Sequence, residues 1–151
     1  MPPEDYYTGH IVENIIGFRT FRIRSKCWQY GTADTYSWAV YLDVAPENYL
    51  FSKLMHIHNS QLFTVDQWCE VDKIICNLHR GCTFFEQGPR FLTVGCDFQH
   101  YQDEIELQNR TTTTPPIAVT HTVESLIRFM HESEIKYSSI LYRKFTPLCQ
   151  P

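Results

Sequence analysis

The segment from Asn77 to Glu104 concentrates side chains that can exchange protons. It reads NLHRGCTFFEQGPRFLTVGCDFQHYQDE and contains the candidate catalytic residues His79, Asp97 and His100. Imidazole exchanges protons near neutral pH, so one histidine can act as a general base and the other as a general acid. Asp97 would fix the tautomer of one of them. This chemistry suits cleavage of a phosphodiester or glycosidic bond in a small nucleotide.

The same segment offers ligands for a divalent metal ion, which could activate water or polarise a phosphoryl oxygen. Asp97, His100 and Asp103 are spaced i, i+3, i+6, so a helical turn or a tight loop can place at least two of them on one side. With His79 as a further ligand, a divalent metal cofactor stays open. The structural alternative is that these residues cap turns and bond to the backbone.

Several neighbouring side chains could hold a phosphorylated ligand. Arg80 can grip a phosphate as a bidentate fork, and the basic pair Arg22 and Arg24 could add to it, although solvated surface arginines are the alternative. Aromatic rings in the segment could stack a base, and a threonine could position the substrate. The candidate ligand-binding residues are Arg80, Thr83, Phe85, Arg90, Tyr101 and Asp103.

The six cysteines favour reduced thiols over disulfides, because the sequence has no C-x-x-C pair and shows no export signal. Cys82 and Cys96 lie close to the candidate catalytic residues. Nothing near them in the sequence would lower a thiol pKa, so we expect them to be structural and not nucleophilic.

Alternating apolar and polar residues predict the strands that must position these groups. Phe18 to Ser25 and Tyr36 to Val44 are expected to pair in antiparallel fashion. Further strands are predicted at 74–78, 82–86 and 91–98, the last two joined by a turn at Gly88-Pro89. If those two strands pair, their outer ends bring His79 near Asp97.

Helical spacing predicts a short helix over residues 47–57 and a long one over Pro116 to Ser133, whose apolar stripe would pack on the sheet. The expected fold class is therefore α+β, with a mainly antiparallel sheet of five or six strands packed against one long C-terminal helix and a shorter helix. We expect a single domain over residues 1–151, with a flexible N-terminus over residues 1–9.

Composition limits the classes of partner. The chain has 151 residues, 43% hydrophobic and 15% aromatic, with a formal net charge of −4. Such a composition excludes a disordered protein and argues against binding of extended nucleic acid, which needs an excess of basic residues. No apolar run is long enough to span a membrane. A cytoplasmic protein with a small nucleotide-like ligand is expected, and a homo-oligomer stays open.

One sequence pattern resembles a family of small, uncharacterised phage and bacterial proteins. The family pattern runs H-G-G-[LI]-T-[FY], a variable hairpin, and then G-F-D-C-A-H-x-x-D. Weaker similarity covers Trp38 to Pro46 and Val119 to Met130. Departures are Arg80 for the first glycine of the pair, Cys96 for an aromatic residue, Phe98 for a cysteine and Asn48 for a histidine. The matching residues are His79, Gly81, Thr83, Phe84, Gly95, Asp97, His100 and Asp103.

The resemblance implies a phage-type protein acting in the cytoplasm of a host cell. Together with the histidines, it leads us to expect a small hydrolase that cleaves a nucleotide-derived molecule, such as a cyclic nucleotide or an ADP-ribose-like immune signal. One alternative is an anti-defence binding protein that sequesters such a signal without cleaving it. Another is a protein that blocks a host protein through an exposed apolar surface.

Overall fold

Five antiparallel strands and three helices form the part of the chain that the structure describes. This computed structural model describes residues 7–30, 36–98 and 115–145, with side chains described for 12–28, 37–98 and 115–136. The sheet has the order β1-β2-β3-β5-β4. The expected α+β class is confirmed. The elements are β1 (Tyr7–Gly17), β2 (Phe21–Tyr30), β3 (Tyr36–Val44), α1 (Leu50–His58), α2 (Thr64–Ile74), β4 (Phe84–Gln87), β5 (Leu92–Asp97) and α3 (Ile117–Phe145).

Strand alternation gives the sheet two unlike faces. On the helix face, Ile23, Leu42 and Val94 lie in register and are fully buried. Helix α3 packs on β2 and β3, while α1 packs on β4 and β5. The opposite side, which we call the outer face, is formed largely by polar residues and glycine. It carries Arg22, Arg24, Tyr41, Asp43, Thr93 and Gly95.

A hydrogen-bonded group joins the β1–β2 turn to two helices. The Asn48 side chain accepts a hydrogen bond from the backbone N–H of Leu50 at 2.9 Å and donates one to Thr20 Oγ1 at 3.0 Å. Thr20 in turn donates to Glu134 Oε1 of α3 at 2.8 Å. Asn48 therefore satisfies the first backbone N–H of α1 and connects it to Thr20.

Most of the predicted elements are confirmed. β2 and β3 pair in antiparallel register, and β4 pairs with β5 through the turn at Gly88. The short helix begins at Leu50, and the long helix covers the predicted range and continues to Phe145. Among the described residues, no helix has the length and apolar character needed to cross a bilayer.

Two expectations about secondary structure were wrong or incomplete. The predicted strand over 74–78 is the end of α2 followed by a turn, because the buried residues Val71, Ile75 and Leu78 follow a helical spacing. β1 was not predicted, since Ile15 and Ile16 are both exposed and none of the residues from Glu13 to Gly17 is buried. Residues 7–9 belong to β1, whereas the expectation for residues 1–6 lies outside the described residues.

Asp43 is a buried carboxylate on the outer face, with a side chain only 1% exposed. Its Oδ2 accepts hydrogen bonds from Nε of Arg22 and Nε of Arg24, both at 2.6 Å. Its Oδ1 accepts from Thr93 Oγ1 at 2.6 Å and from Arg24 Nη2 at 3.1 Å. Burial alone would raise the pKa of Asp43, but these hydrogen bonds outweigh it and lower the pKa. One charge thus joins β2, β3 and β5.

We expect Asp43→Asn to lower the free energy of unfolding at pH 7 by about 3 kcal/mol, because it removes the buried charge that two partly buried guanidinium groups share and leaves them without their counter-charge. Since the pKa of Asp43 is lower in the folded chain than its ordinary value of 3.8, its stabilisation is complete above that value and is lost as the pH falls further. Urea unfolding across the acid range measures both effects.

The matched control is Glu13→Gln, which removes an exposed carboxylate 3.3 Å from Arg24. We expect it to change the free energy of unfolding by no more than about 0.5 kcal/mol. Equal stabilities of the Asp43→Asn and Glu13→Gln variants would contradict the central role of Asp43.

Candidate functional site

The loop between α2 and β4, which we call the site loop, carries His79 and Arg80 and is anchored on three sides. Asp72 Oδ1 of α2 accepts a hydrogen bond from the backbone N–H of Cys82 at 2.8 Å. The N–H of Thr83 donates to the Gly95 carbonyl at 2.9 Å. Asn77 Nδ2 donates to Ser125 Oγ of α3 at 2.7 Å. The loop is therefore fixed to the helices and to β5.

The imidazole of His79 lies flat against Phe98, with ring centroids 4.3 Å apart and the planes inclined by 13°. Phe98 is 2% exposed, and its N–H donates to the Trp38 carbonyl at 3.0 Å. The backbone of His79 also hydrogen-bonds with the Cys96 thiol. As expected, the hairpin brings His79 to the end of β5, and the aromatic contact fixes the plane of its ring.

Asp97 and Phe98 are consecutive, so strand alternation directs Asp97 to the outer face and Phe98 to the helix face. His79 follows Phe98. The role of Asp97 as the group that fixes the tautomer of a histidine stays a prediction. The other predicted residues of this site, His100, Tyr101 and Asp103, lie outside the described residues.

The metal-assisted alternative stays a prediction. Within the described ranges, no group of three or more His, Cys, Asp or Glu side chains is placed to hold a metal ion. Only His79 and Asp97 of the four candidate ligands belong to those ranges.

Arg80 has a strained backbone. Its φ of +55° is the only positive φ of a residue other than glycine in the described part of the chain, and Gly81 follows with a φ of +95°. A Cβ added at Gly81 would lie 2.9 Å from Asp72 Oδ2, so glycine is required there. An L-residue in the left-handed region costs roughly 1 kcal/mol. The glycine that the resembling pattern has in place of Arg80 would avoid this cost.

The structure separates the remaining ligand-binding candidates. Phe85 is 9% exposed and packs edge-on against His58 of α1 at 5.2 Å, so it is a core residue. Thr83 belongs to the site loop and hydrogen-bonds to Gly95 of β5. Arg90 is in the β4–β5 turn, at the opposite end of β5 from Arg80. Six strand residues span about 17 Å, so the two arginines do not bind one small phosphate together.

Three residues with a functional geometry were not singled out together from the sequence. Asp43 orients Arg22, and the Arg22 guanidinium carbon lies 4.4 Å from the ring centroid of Phe91. Alternation in the first predicted strand already places Arg22 and Arg24 on one face. The β2–β3 register then places Asp43 opposite Arg22. That register was the signal that could have identified them.

A cavity of about 630 Å³ lies at the start of α1, lined by residues of the segment 46–53 and by Lys136. None of the predicted site residues lines it. The site loop and this cavity are separate features.

No family model, curated protein or solved structure matches this chain. The resemblance to phage and bacterial proteins therefore stays a prediction. The functional inference must come from the geometry of the site.

Arg80→Gly and Arg80→Ala both remove the guanidinium, but only glycine relieves the positive φ. We expect the glycine variant to be more stable than the alanine variant by about 1 kcal/mol, measured by urea unfolding. The comparison isolates the backbone because both variants lose the same side-chain contacts. Equal stabilities would show that Arg80 is not strained.

The buried thiols should be unreactive. Burial raises the pKa of Cys82 to about 11 and that of Cys96 to about 12. We expect iodoacetamide at pH 8 to label the exposed Cys69 and Cys76 at least about 100-fold faster than Cys82 and Cys96. Mass spectrometry of the labelled peptides measures the rates, and unfolding in urea should equalise them. Rapid labelling of native Cys82 or Cys96 would contradict this expectation and would support a role for that thiol as a nucleophile.

Proposed function

We propose that this chain is a small hydrolase that cleaves a nucleotide-derived molecule at the loop carrying His79 and Arg80. The observation that carries the proposal is a strained arginine directly after a histidine whose ring is fixed by stacking. Strained backbone is typical of functional sites, where the strain persists because the side chain has a use.

Arg80 supplies the affinity for phosphate. Its side chain is exposed, and a guanidinium presents a planar fork that matches the oxygens of a phosphate ester. A glycine would be easier to accommodate at this position. The proposal therefore explains the arginine at this strained position by a charge that the substrate requires.

His79 supplies proton transfer. Stacking on Phe98 fixes the plane of the imidazole. His100, which follows Phe98 by two residues in the sequence, is the predicted second histidine. The proposal assigns the proton transfers to the two histidines and the plane of the His79 ring to Phe98, and Asp97 stays the predicted group that fixes the tautomer of one of them.

The reaction is hydrolysis of a phosphodiester. One histidine removes a proton from a water molecule as its oxygen attacks phosphorus. The other histidine donates a proton to the leaving oxygen as the phosphorus–oxygen bond breaks. Arg80 binds the non-bridging oxygens, on which negative charge accumulates in the transition state.

One observation favours a different class of function. Three apolar side chains in and beside the α1–α2 connection are exposed: Leu62 at 46%, Phe63 at 83% and Val65 at 62%. An exposed apolar patch is typical of protein-binding surfaces. The second candidate function is therefore binding of a protein partner through this patch, without any small ligand.

The test is to incubate the purified chain with cyclic nucleotides and ADP-ribose derivatives, heat it to release bound ligand, and analyse the products by chromatography. We expect one of these compounds to be cleaved. His79→Gln should lower the rate about 10²–10⁴-fold, as loss of a general acid or base does. Arg80→Gly should lower the rate although it relieves the positive φ.

The matched control is His56→Gln, which changes an exposed histidine of α1 and should leave the rate unchanged. Recovery of intact ligand after heating would replace hydrolysis with sequestration. Absence of binding to every compound would favour the protein-binding function. Full turnover by a folded His79→Gln variant would exclude the mechanism.

A further inference from the structure

Arg22, Phe91 and Arg90 form a compact group on the outer face, next to the β4–β5 turn. We call it the arginine cluster. The guanidinium carbons of Arg22 and Arg90 lie 4.4 and 5.6 Å from the same ring centroid, that of Phe91. Both distances are within the range of a cation–π attraction. Two positively charged side chains therefore contact the same aromatic ring.

The Arg22 guanidinium is held before any ligand arrives. Its Nε donates to the buried carboxylate of Asp43 at 2.6 Å, and its flat surface lies over Phe91. A guanidinium has four further N–H groups on its terminal nitrogens. For Arg22 these make no hydrogen bond to the residues that the structure describes, and the side chain is 36% exposed. The open end of the fork therefore remains available.

A fork that is already oriented loses little conformational freedom when it binds an anion. Arg24 differs in this respect. Its side chain donates to both oxygens of Asp43 and also to Glu13, so its charge is already used within the protein. Arg22 is the member of the basic pair that keeps donors for a ligand.

The surroundings leave room for an anion. Gly17 of β1 lies in register with Arg22, and a Cβ added there would meet no atom within 4 Å. Arg90 is exposed and makes no ion pair with any residue in the described ranges. The nearest acid, Asp43, is shared between two arginines. Glu86 of β4 is exposed and lies two strands away from Asp43 in the same row.

We propose that the arginine cluster binds the phosphate groups of a small phosphorylated molecule. Arg22 holds one phosphate through its terminal N–H groups, and the exposed Arg90 closes over a neighbouring oxygen. Phe91 keeps the two cations close together and offers an apolar surface beside the anion. Charge-assisted hydrogen bonds to two guanidinium groups favour a multiply charged phosphate over a single carboxylate.

This site is distinct from the proposed hydrolytic site. The cluster lies at the β4–β5 turn, whereas His79 lies at the other end of β5, about 17 Å away for six strand residues. Phosphate binding at the cluster does not depend on hydrolysis at His79.

The test is to titrate inorganic pyrophosphate into the full chain labelled with ¹⁵N and to follow the Nε–Hε resonance of Arg22. We expect a saturable shift of that resonance. Arg90→Gln should weaken binding about tenfold, which corresponds to loss of hydrogen bonds to a charged group. Arg128→Gln is the matched control, because it removes one exposed positive charge from α3 and should leave the affinity unchanged.

Arg22→Lys keeps the charge but loses the fork, and should also weaken binding. Because Arg22→Lys disturbs Asp43 and can lower stability, the decisive variants are Arg90→Gln and Phe91→Leu, which leave the contact between Arg22 and Asp43 in place. The proposal is overturned if pyrophosphate produces no saturable shift or if Arg128→Gln weakens binding as much as Arg90→Gln does. Binding that His79→Gln abolishes while Arg90→Gln leaves it intact would place the anion at the other end of β5. Tighter binding of acetate than of pyrophosphate would exclude phosphate as the ligand.

Discussion

The buried charge of Asp43 is the constraint on which the outer face depends. Its four hydrogen bonds come from β2 and β5, the two neighbours of β3, so a shift in either register would leave the carboxylate without donors in a place that excludes water. The same bonds set the positions of two guanidinium groups. Arg24 in turn lies over Tyr41, with its guanidinium carbon 4.8 Å from the ring centroid.

Close contacts on the outer face continue from Tyr41 to the site loop. Tyr41 lies against Gly95, where an added Cβ would be 2.6 Å from Tyr41 Cδ1, and its ring meets Phe84 edge-on at 5.2 Å. Gly95 also accepts the hydrogen bond from Thr83 that anchors the site loop. Close packing of Tyr41 against a bare strand position thus links the ion-paired residues to the loop that carries His79.

The sequence predicted the elements whose one face is buried, and it failed where that signal is absent. Alternation in 36–44 indicates β3 because every second side chain enters the core. β1 has no such signal, since it exposes isoleucine on both faces. In α2, charged residues surround the few apolar positions, so the pair Ile74-Ile75 resembled a short strand although Val71 and Ile75 lie one helical turn apart.

The candidate site could be located but not assembled from the sequence. Hairpin pairing was enough to bring His79 to the end of β5, whereas the stacking on Phe98 depends on side-chain packing that no spacing rule gives. The positive φ of Arg80 was equally hidden, because no spacing or composition signal indicates it. The separation of Arg80 from Arg90 follows only when the length and register of β5 are known.

The hydrogen bond between Asn77 and Ser125 also has a consequence for the order in which the protein is built. Its two residues are separated by 48 positions, and α3 follows every other described element along the chain. During synthesis the loop carrying His79 therefore leaves the ribosome well before its anchor on α3 exists. The loop therefore reaches its final attachment only after that helix has been made and has docked.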